Sequence, residues 1–414
     1  MTRRKKRKLK KGVFLSLTLV FLIGIGFGLY LGKDKVIDLF SSKEVNINKN
    51  NNNNNKVNKD EENKEDEIYK INMLATGDGL IHNAVYYAYE EGYRGSGIYN
   101  FDGALTYIKD IVSKYDIAYY NQETPFAGGT PSGYPRFSTP KEFGDAMIKA
   151  GFNMISLATN HTLDKGESGV LNFYNYFKDK DDIVYNGVAD SIESRNNYII
   201  GEKNNITYSM LSYTTSTNGL PVPSGKDYLI NVYDEDQVKK DVEALRDKVD
   251  VLIVAMHWGV EYASSPNDSQ KEIANYLANL GVDIVIGTHP HVLQPITWID
   301  DTLVIYSLGN FISNQYGTDD YNKLVGFMAT WDITKTITSD GKTNISIDNL
   351  GGELIFTKYT GNPITTANHS EHQVIPFSIM NDETYLKDYK RIYEKYSGIL
   401  KNMGTELNIV PLPN

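Results

Sequence analysis

The chain has 414 residues, of which 41% are hydrophobic, so it has ample apolar content for a packed core and is not a disordered protein. Its formal net charge is −10, yet eight basic residues and no acidic residue lie between positions 3 and 11. An acidic body with a short basic tip does not fit a nucleic-acid-binding protein. The absence of cysteine excludes disulfides, thiolate metal sites and cysteine nucleophiles.

Residues 13–31 are the first predicted element, a transmembrane anchor. They are uncharged and long enough to cross a hydrocarbon core of about 30 Å. The basic residues 1–12 precede them, so the positive-inside rule predicts a cytoplasmic N-terminus and an external remainder. A cleaved signal peptide is the alternative, although no small-residue cleavage site follows Leu31.

Residues 32–68 are predicted to form a disordered linker. The segment includes an unbroken run of asparagines, residues 50–55, followed by mostly charged residues. Such a segment buries too little apolar surface to offset the entropy of ordering it. It would act as a flexible tether that holds the following domain away from the membrane.

Residues 69–380 are predicted to form one α/β domain. Short apolar runs that stop at polar residues are typical of strands buried on both faces. Helical patterns separate several of these runs, and this alternation favours an α/β fold. The predicted helices cover residues 103–113, 141–150, 166–177, 235–248 and 269–280. After Leu324 the pattern is β only, and residues 381–414 are predicted to form a terminal helix and tail.

Polar residues with metal-binding side chains follow several of the predicted strands. They are Asp78, Glu123, Asn160, His161, His257, His289 and His291. Ligands bind beyond the carboxyl ends of parallel strands, where these side chains would meet. Carboxylates together with imidazoles suit Mn, Zn or Fe, and a shared carboxylate would allow two divalent ions to lie side by side.

Each of these residues also has a structural interpretation. Asp78 could cap a turn or a helix, and His257 alone is as consistent with a structural role as with metal binding. The pair His289 and His291 is a stronger signal, because a His-x-His sequence at a strand end can aim two imidazoles at one pocket. His369 and His372 lie in a polar segment and are predicted to be surface residues.

The motifs GDGLIH, NQETP, SLATNHTLDKGESG, HWGVEY, GTHPHVLQPI and YSLGNF, taken together, resemble the CapA family of capsule-biosynthesis proteins. The resemblance covers roughly residues 70–315. It implies a fold like that of metal-dependent phosphatases, with two facing β-sheets flanked by helices. It also implies a role in poly-γ-glutamate synthesis or export, beside membrane-embedded partner proteins.

The same resemblance implies individual roles. His161 would be the general acid, and Glu123 would bridge the two metal ions. The remaining ligands would be Asp78 and His291 for the first metal, and Asn160, His257 and His289 for the second. The chain departs from the phosphatase pattern at His82, which is four residues after the first aspartate instead of two, and at Glu123, where the pattern has aspartate. His82 is therefore a candidate either for binding metal or for supporting the ligands.

Three further residues are candidates outside this set. Arg136 lies in a Gly/Pro-rich loop and could bind an anionic polymer or phosphoester, or simply be a surface residue. Glu261 and Asn310 follow strands closely and could support the ligands or line the pocket. The resemblance favours a component of an extracellular polymer machine. The alternatives are a free-standing metal-dependent hydrolase and a non-catalytic metal-binding scaffold, and the nearly complete ligand set argues against the scaffold.

Overall fold

The computed structural model describes residues 65–316, 320–360 and 370–413. Within these residues, no helix is both long enough and apolar enough to cross a membrane. The predicted basic tip (1–12) and anchor (13–31) and nearly all of the predicted linker (32–68) lie outside the described residues.

The described residues contain fifteen β-strands, most of them short. They are β1 Glu67–Gly79, β2 Ile117–Asn121, β3 Met154–Ser156, β4 Val184–Asn186, β5 Ile200–Lys203, β6 Ile206–Thr214, β7 Val251–His257, β8 Ile284–Thr288, β9 Ile296–Ile299, β10 Thr302–Ile305, β11 Asn310–Ile312, β12 Val325–Ile337, β13 Thr343–Thr360, β14 Ser370–Pro376 and β15 Asn408–Ile409.

Eight α-helices accompany these strands in the part of the chain that the structure describes. They are α1 Asn83–Ala88, α2 Lys109–Val112, α3 Glu142–Ala150, α4 Gly166–Phe177, α5 Ile192–Arg195, α6 Glu235–Leu245, α7 Asp268–Asn279 and α8 Tyr389–Leu400. Short 3₁₀ turns cover Asp102–Leu105, Asp227–Leu229, Arg246–Lys248 and Phe377–Ile379.

The strands form two mixed sheets, which confirms the predicted α/β class. The first sheet has the order β14-β13-β12-β1-β2-β3-β4, with β11 pairing to β1 and β15 to β13. The second has the order β5-β6-β7-β8-β10-β9. In the first sheet β1 to β4 are parallel, and in the second β6, β7, β8 and β10 are parallel. Their carboxyl ends therefore lie along one edge of each sheet.

The alternating directions of apolar side chains along the central strands explain why the sheets pack face to face. In β7, Val251, Ile253 and Ala255 join a core shared with β1, β2 and other strands of the first sheet. The intervening Leu252 and Val254 pack instead with residues of α6 and α7. Successive strand residues point to opposite faces. A strand that is apolar on both faces must therefore be covered twice, by the opposing sheet and by helices.

Close backbone approach fixes the position of the first candidate ligand. Gly77 lies against Gly309, and a Cβ built on Gly77 would be 1.8 Å from the Gly309 carbonyl oxygen. The Asp78 amide donates a hydrogen bond to that same oxygen, at 3.0 Å. This contact places Asp78 opposite Asn310 in the pairing of β1 with β11.

Two details differ from the sequence-based predictions. The predicted helix at 103–113 is broken into a 3₁₀ turn and the short α2, because Ala104 and Ile108 close hydrogen bonds to carbonyls three residues earlier. His372, predicted to be at the surface, is buried on β14 and lies 2.8 Å from the Asn314 side-chain oxygen. His369 lies outside the described residues.

Candidate metal centre

The candidate ligands meet where the carboxyl-terminal edges of the two sheets adjoin. The first sheet contributes Asp78 from β1, Glu123 just after β2, and Asn160 after β3. The second sheet contributes His257, the last residue of β7, and His289 and His291 just after β8. The structure thus brings together six side chains that are far apart in the sequence.

Glu123 is the central residue of this group. Its side chain is 0% exposed, and neither carboxylate oxygen has a hydrogen-bond partner among the described residues. Its Oε1 lies 3.5 Å from Nε2 of His291 and 3.8 Å from Nε2 of His257. Burial raises the pKa of this carboxyl well above its usual range. A buried carboxylate without donors is costly unless a cation compensates it, so Glu123 fits a metal-bridging position.

His257 presents one nitrogen to the same space. Its Nδ1 lies 3.0 Å from the Thr288 hydroxyl oxygen, and its Nε2 lies 3.0 Å from Oδ1 of Asn160. Nδ1 of His289 is 3.1 Å from that Nε2. If Nδ1 of His257 donates its proton to Thr288, then Nε2 of His257, Nδ1 of His289 and Oδ1 of Asn160 can all direct lone pairs toward one position. Such a set of acceptors suits a divalent ion.

Burial lowers the pKa of His257 well below its ordinary value and lowers that of His289 to about 4, and neighbouring imidazoles add to both effects. Both rings are therefore neutral near pH 7. A neutral imidazole is the form that binds metal.

His291 lies on the other side of Glu123. Its Nδ1 is 3.0 Å from Oδ2 of Asp78 and 3.1 Å from Oδ1 of Asn310, so a proton on Nδ1 has two acceptors. Asn310 donates its amide nitrogen to the Lys323 carbonyl, which keeps its oxygen turned toward His291. Burial alone would lower the pKa of His291, but Glu123 and Asp78 raise it to about 9. A metal ion bound by this ring would therefore release a proton from it.

A buried chain of hydrogen bonds orients Asp78 from behind. Asn121 donates its amide nitrogen to Oδ1 of Asp78 at 2.9 Å, and its own oxygen accepts from Ser156 at 2.7 Å. The Ser156 hydroxyl also pairs with the Tyr119 hydroxyl at 2.7 Å. Contacts of this kind set the direction in which a ligating carboxylate points.

The backbone at the His-x-His turn is strained. His289 and His291 both have positive φ, 94° and 59°, in a region that favours glycine. Tyr262, also at positive φ, donates its amide to the Pro290 carbonyl at 2.7 Å and so supports the turn. Strain that persists at non-glycine residues is typical of functional sites.

Two groups of ligand atoms in the described residues are close enough to hold a metal ion. One comprises Glu123, His289 and His291, and the other Asp78, Glu123 and His257, with ligand atoms within 4.8 Å of one another. Glu123 belongs to both groups, as a bridging residue would. Asp78 and His257 share one group, although the family resemblance assigns them to different ions.

His82 belongs to neither group. Its Nδ1 lies 3.2 Å from the Leu80 carbonyl oxygen and 3.3 Å from the Asn314 amide nitrogen. Burial lowers its pKa to about 3. Its ring packs edge-on against Phe137, with centroids 5.4 Å apart. These contacts give His82 a position beside the centre, with Nδ1 engaged by the backbone.

His161 forms a buried pair with Asp164. Its Nδ1 lies 2.8 Å from Oδ2 of Asp164, and the same oxygen accepts the Phe137 amide at 2.8 Å. The ring of Phe137 packs edge-on against the imidazole, with centroids 4.7 Å apart. The imidazole is thereby fixed through Nδ1, and Nε2 is left to exchange a proton.

A cleft of 340 Å³ opens beside this pair. Its lining includes Asn160, His161, Asn218, Arg136 and Glu261. Asn160 donates its amide nitrogen to the Asn218 side-chain oxygen at 3.3 Å, so its own oxygen faces His257. Arg136 and Glu261 are exposed. The cleft therefore joins the buried residues to solvent.

Sequence reasoning missed several residues that position the ligands. They are Asn121, Asp164, Asn218 and Thr288. Asp164 could have been identified from the sequence, because it follows His161 by three residues. Asn218 had none, since it comes from the loop after β6 and reaches Asn160 only in the folded chain.

Comparisons with known proteins agree with the resemblance seen in the motifs. A family described as "Bacterial capsule synthesis protein PGA_cap" matches residues 72–315, more than half of the chain. The chain is 26% identical over 324 residues to the PGA biosynthesis protein CapA of Bacillus subtilis (strain 168), covering 76% of each protein. It is 29% identical over 187 residues to the capsule biosynthesis protein CapA of Bacillus anthracis, covering 43% of this chain and 44% of that one.

The solved structures that match this chain are more distant. A hypothetical protein from Thermus thermophilus matches with a TM-score of 0.40 at 14% identity, covering 68% of this chain and 99% of that one. A putative 5'-nucleotidase from Staphylococcus aureus matches with a TM-score of 0.40 at 14% identity, covering 79% of this chain and 58% of that one.

Proposed function

Because this chain belongs to the PGA_cap family of bacterial capsule synthesis proteins, we propose that it works in the synthesis or export of poly-γ-glutamate or a related envelope polymer. We further propose that it does so through a two-metal hydrolase-type site. The family match and the two curated relatives support the polymer role. The observation that supports the site is the buried Glu123 carboxylate, which has no hydrogen-bond donor among the described residues and lies between His257 and His291.

Six side chains would hold the ions: Asp78, Glu123, Asn160, His257, His289 and His291. Divalent ions bound there would stabilise negative charge that develops on an oxygen during displacement. Mn, Zn and Fe suit this mixture of carboxylate, amide and imidazole ligands. Asn121 and Asn310 would fix the directions of Asp78 and His291 through the hydrogen bonds described above.

His161 would donate a proton to the leaving group. Asp164 holds Nδ1, so the proton that moves is the one on Nε2, in the ring that lines the cleft. Arg136 lines the same cleft and would attract an anionic polymer or phosphoester. Asp164 is only 4% exposed, so little water reaches its side chain.

The proposal includes an N-terminus inside the cell and this domain outside, beside membrane-embedded synthesis or export proteins. The basic residues 1–12 followed by the apolar segment 13–31 support that topology. External protease applied to intact protoplasts should remove the domain. Lysed protoplasts serve as the control that the protease can digest the domain. Full protection of the domain in intact protoplasts would contradict the proposed topology.

The central test is complementation of a deletion strain with Glu123→Gln. This change keeps the side-chain volume and removes the bridging charge. Polymer yield should fall strongly at normal protein level, whereas Glu272→Gln, an exposed residue on α7, should restore the full yield. Full yield with Glu123→Gln would favour the non-catalytic scaffold. Hydrolysis of a generic phosphodiester by the purified protein, with polymer yield independent of the site, would favour a free-standing hydrolase.

A further inference from the structure

The cleft beside His161 carries two opposite charges, Arg136 and Glu261. Among the described residues, neither side chain forms an ion pair with the other or with a third residue. Both side chains are exposed, and each belongs to a different side of the cleft.

Arg136 is tied to the general-acid side of the site. Its guanidinium donates to the Asp164 carbonyl oxygen at 3.4 Å, and Asp164 in turn holds His161. This contact involves one guanidinium nitrogen. The planar group has other N–H donors suited to a carboxylate.

Glu261 is tied to the metal-ligand side. Its chain neighbour is Tyr262, whose phenol oxygen accepts from the Gln315 side chain at 3.3 Å. The Tyr262 amide donates to the carbonyl of Pro290, between the two histidines of the turn. Glu261 thus places a negative charge beside the site at which, under the proposed function, an anionic substrate binds.

A purely anionic ligand would be repelled by Glu261, and a purely cationic ligand would be repelled by Arg136. A ligand that carries both charges satisfies both residues. In a polymer of amino acids, an ammonium and a carboxylate lie on the same carbon only at a free amino-terminal residue joined through its side chain. That chemistry distinguishes the chain end from every internal unit.

We propose that this cleft binds the free amino terminus of a side-chain-linked amino-acid polymer, with its ammonium on Glu261 and its α-carboxylate on Arg136. The inference rests on the proposed function for the identity of the polymer. It adds that the site recognises the chain end. His161 then lies within the same cleft as the terminal unit.

The test measures equilibrium binding to the purified full-length protein. The probes are γ-linked triglutamate with a free amino terminus and the same peptide N-acetylated. The wild-type protein should prefer the free form by about fivefold, the upper range for a solvent-exposed ion pair. Glu261→Gln should abolish this preference by weakening only the free form, and Arg136→Gln should weaken both. The controls Glu272→Gln and Arg94→Gln, both exposed and outside the cleft, should bind like wild type.

Several results would overturn the inference. One is tighter binding of the free form by Glu261→Gln, which indicates a simple anion site. Others are equal affinity of wild type for both peptides and absence of binding to either. Binding of O-phosphoethanolamine with the same dependence on Arg136 and Glu261, without binding of triglutamate, would assign the cleft to a lipid headgroup. Loss of polymer in Glu123→Gln without peptide discrimination would leave the proposed function standing and refute only the chain-end site.

Discussion

The imidazole of His161 and the carboxylate of Asp164 form a buried pair, with Nδ1 2.8 Å from Oδ2. Asp164→Asn leaves one side-chain oxygen, which can still accept from both the Phe137 amide and Nδ1 of His161, but it removes the negative charge beside the imidazole. Without that charge, the protonated ring that a general acid needs is less favoured. Activity should fall by up to roughly 10²–10⁴-fold, the usual contribution of acid–base catalysis.

The readouts for Asp164→Asn are polymer yield in cells and turnover of any substrate identified in vitro. Metal content and thermal stability should stay near wild type, since Asp164 is in neither group of candidate ligands. Asp236→Asn, an exposed carboxylate on α6, is the matched control. Unchanged activity in Asp164→Asn would remove His161 from the proton-transfer role.

Metal content should separate the proposed ligands from the proposed general acid, His161. The wild-type protein, expressed with Mn or Zn, should carry one to two equivalents by elemental analysis, as two ligand groups sharing a bridging carboxylate predict. His289→Ala and His291→Ala should each lower that content, because each removes one imidazole from the centre. His161→Ala should retain it. Loss of metal in His161→Ala would show that its role is misassigned, and absence of metal in every preparation would refute the centre.

The approach of Gly77 to Gly309 should be intolerant of a side chain. Gly77→Ala places Cβ 1.8 Å from a backbone oxygen, so β1 and β11 must separate beside Asp78. We expect a loss of roughly 1–3 kcal/mol or more in unfolding free energy, measured by denaturant titration. Gly398→Ala is the control, since Gly398 lies in α8 with no neighbouring atom around its added Cβ. It should be neutral or stabilising by about 0.5–1 kcal/mol. Equal stability of the two variants would contradict the described contact.

Asp241 should stabilise the fold in a pH-dependent way. It is 1% exposed on α6 and accepts from Arg195 at 2.6 Å, Tyr213 at 2.6 Å and Tyr198 at 2.7 Å. Burial alone would raise the pKa of this carboxyl, but these donors lower it below the ordinary value. The ionised form is therefore favoured in the folded state. Its stabilising contribution is full above about pH 4, the unfolded value, and is lost as pH falls through the folded pKa.

Asp241→Asn should cost about 3–5 kcal/mol at pH 7, because Arg195 is left without its buried partner. The difference in unfolding free energy between wild type and variant should shrink as the pH falls below about 4. Denaturant titrations at pH 7 and pH 3 measure it, with Asp236→Asn as control. A difference that stays constant, or grows in acid, would contradict the charged pair.

Much of the fold and the site could be read from local patterns. Apolar runs that end at Asp78, His257 and His289 predicted strands, since a strand buried on both faces must be apolar at every position. The predicted helix at 166–177 matches α4, because its apolar residues follow a helical period. The motif set also identified the family, which the family match confirms.

Local patterns failed where distant contacts decide the outcome. The segment 103–113 has helical periodicity, yet it folds as a 3₁₀ turn and the short α2, and its apolar residues pack in a core shared with the first sheet. His372 sits in a polar stretch, but β14 pairs with β13 and buries it. Propensity is a weak prior that tertiary packing overrides.

The sequence by itself determined which residue types follow the strands, and hence the ligand chemistry and the family. Only the tertiary structure decided which atoms meet. Glu123 and His291 are far apart in the chain, and their 3.5 Å contact exists because one edge of each sheet adjoins the other. The charged side chains of Arg136 and Glu261 likewise share a cleft only after folding. The spacing of residues in the sequence shows the two-residue period of a strand. Contacts between the sheets depend instead on how their two apolar faces pack. No local pattern in the sequence encodes the distance between residues on different sheets.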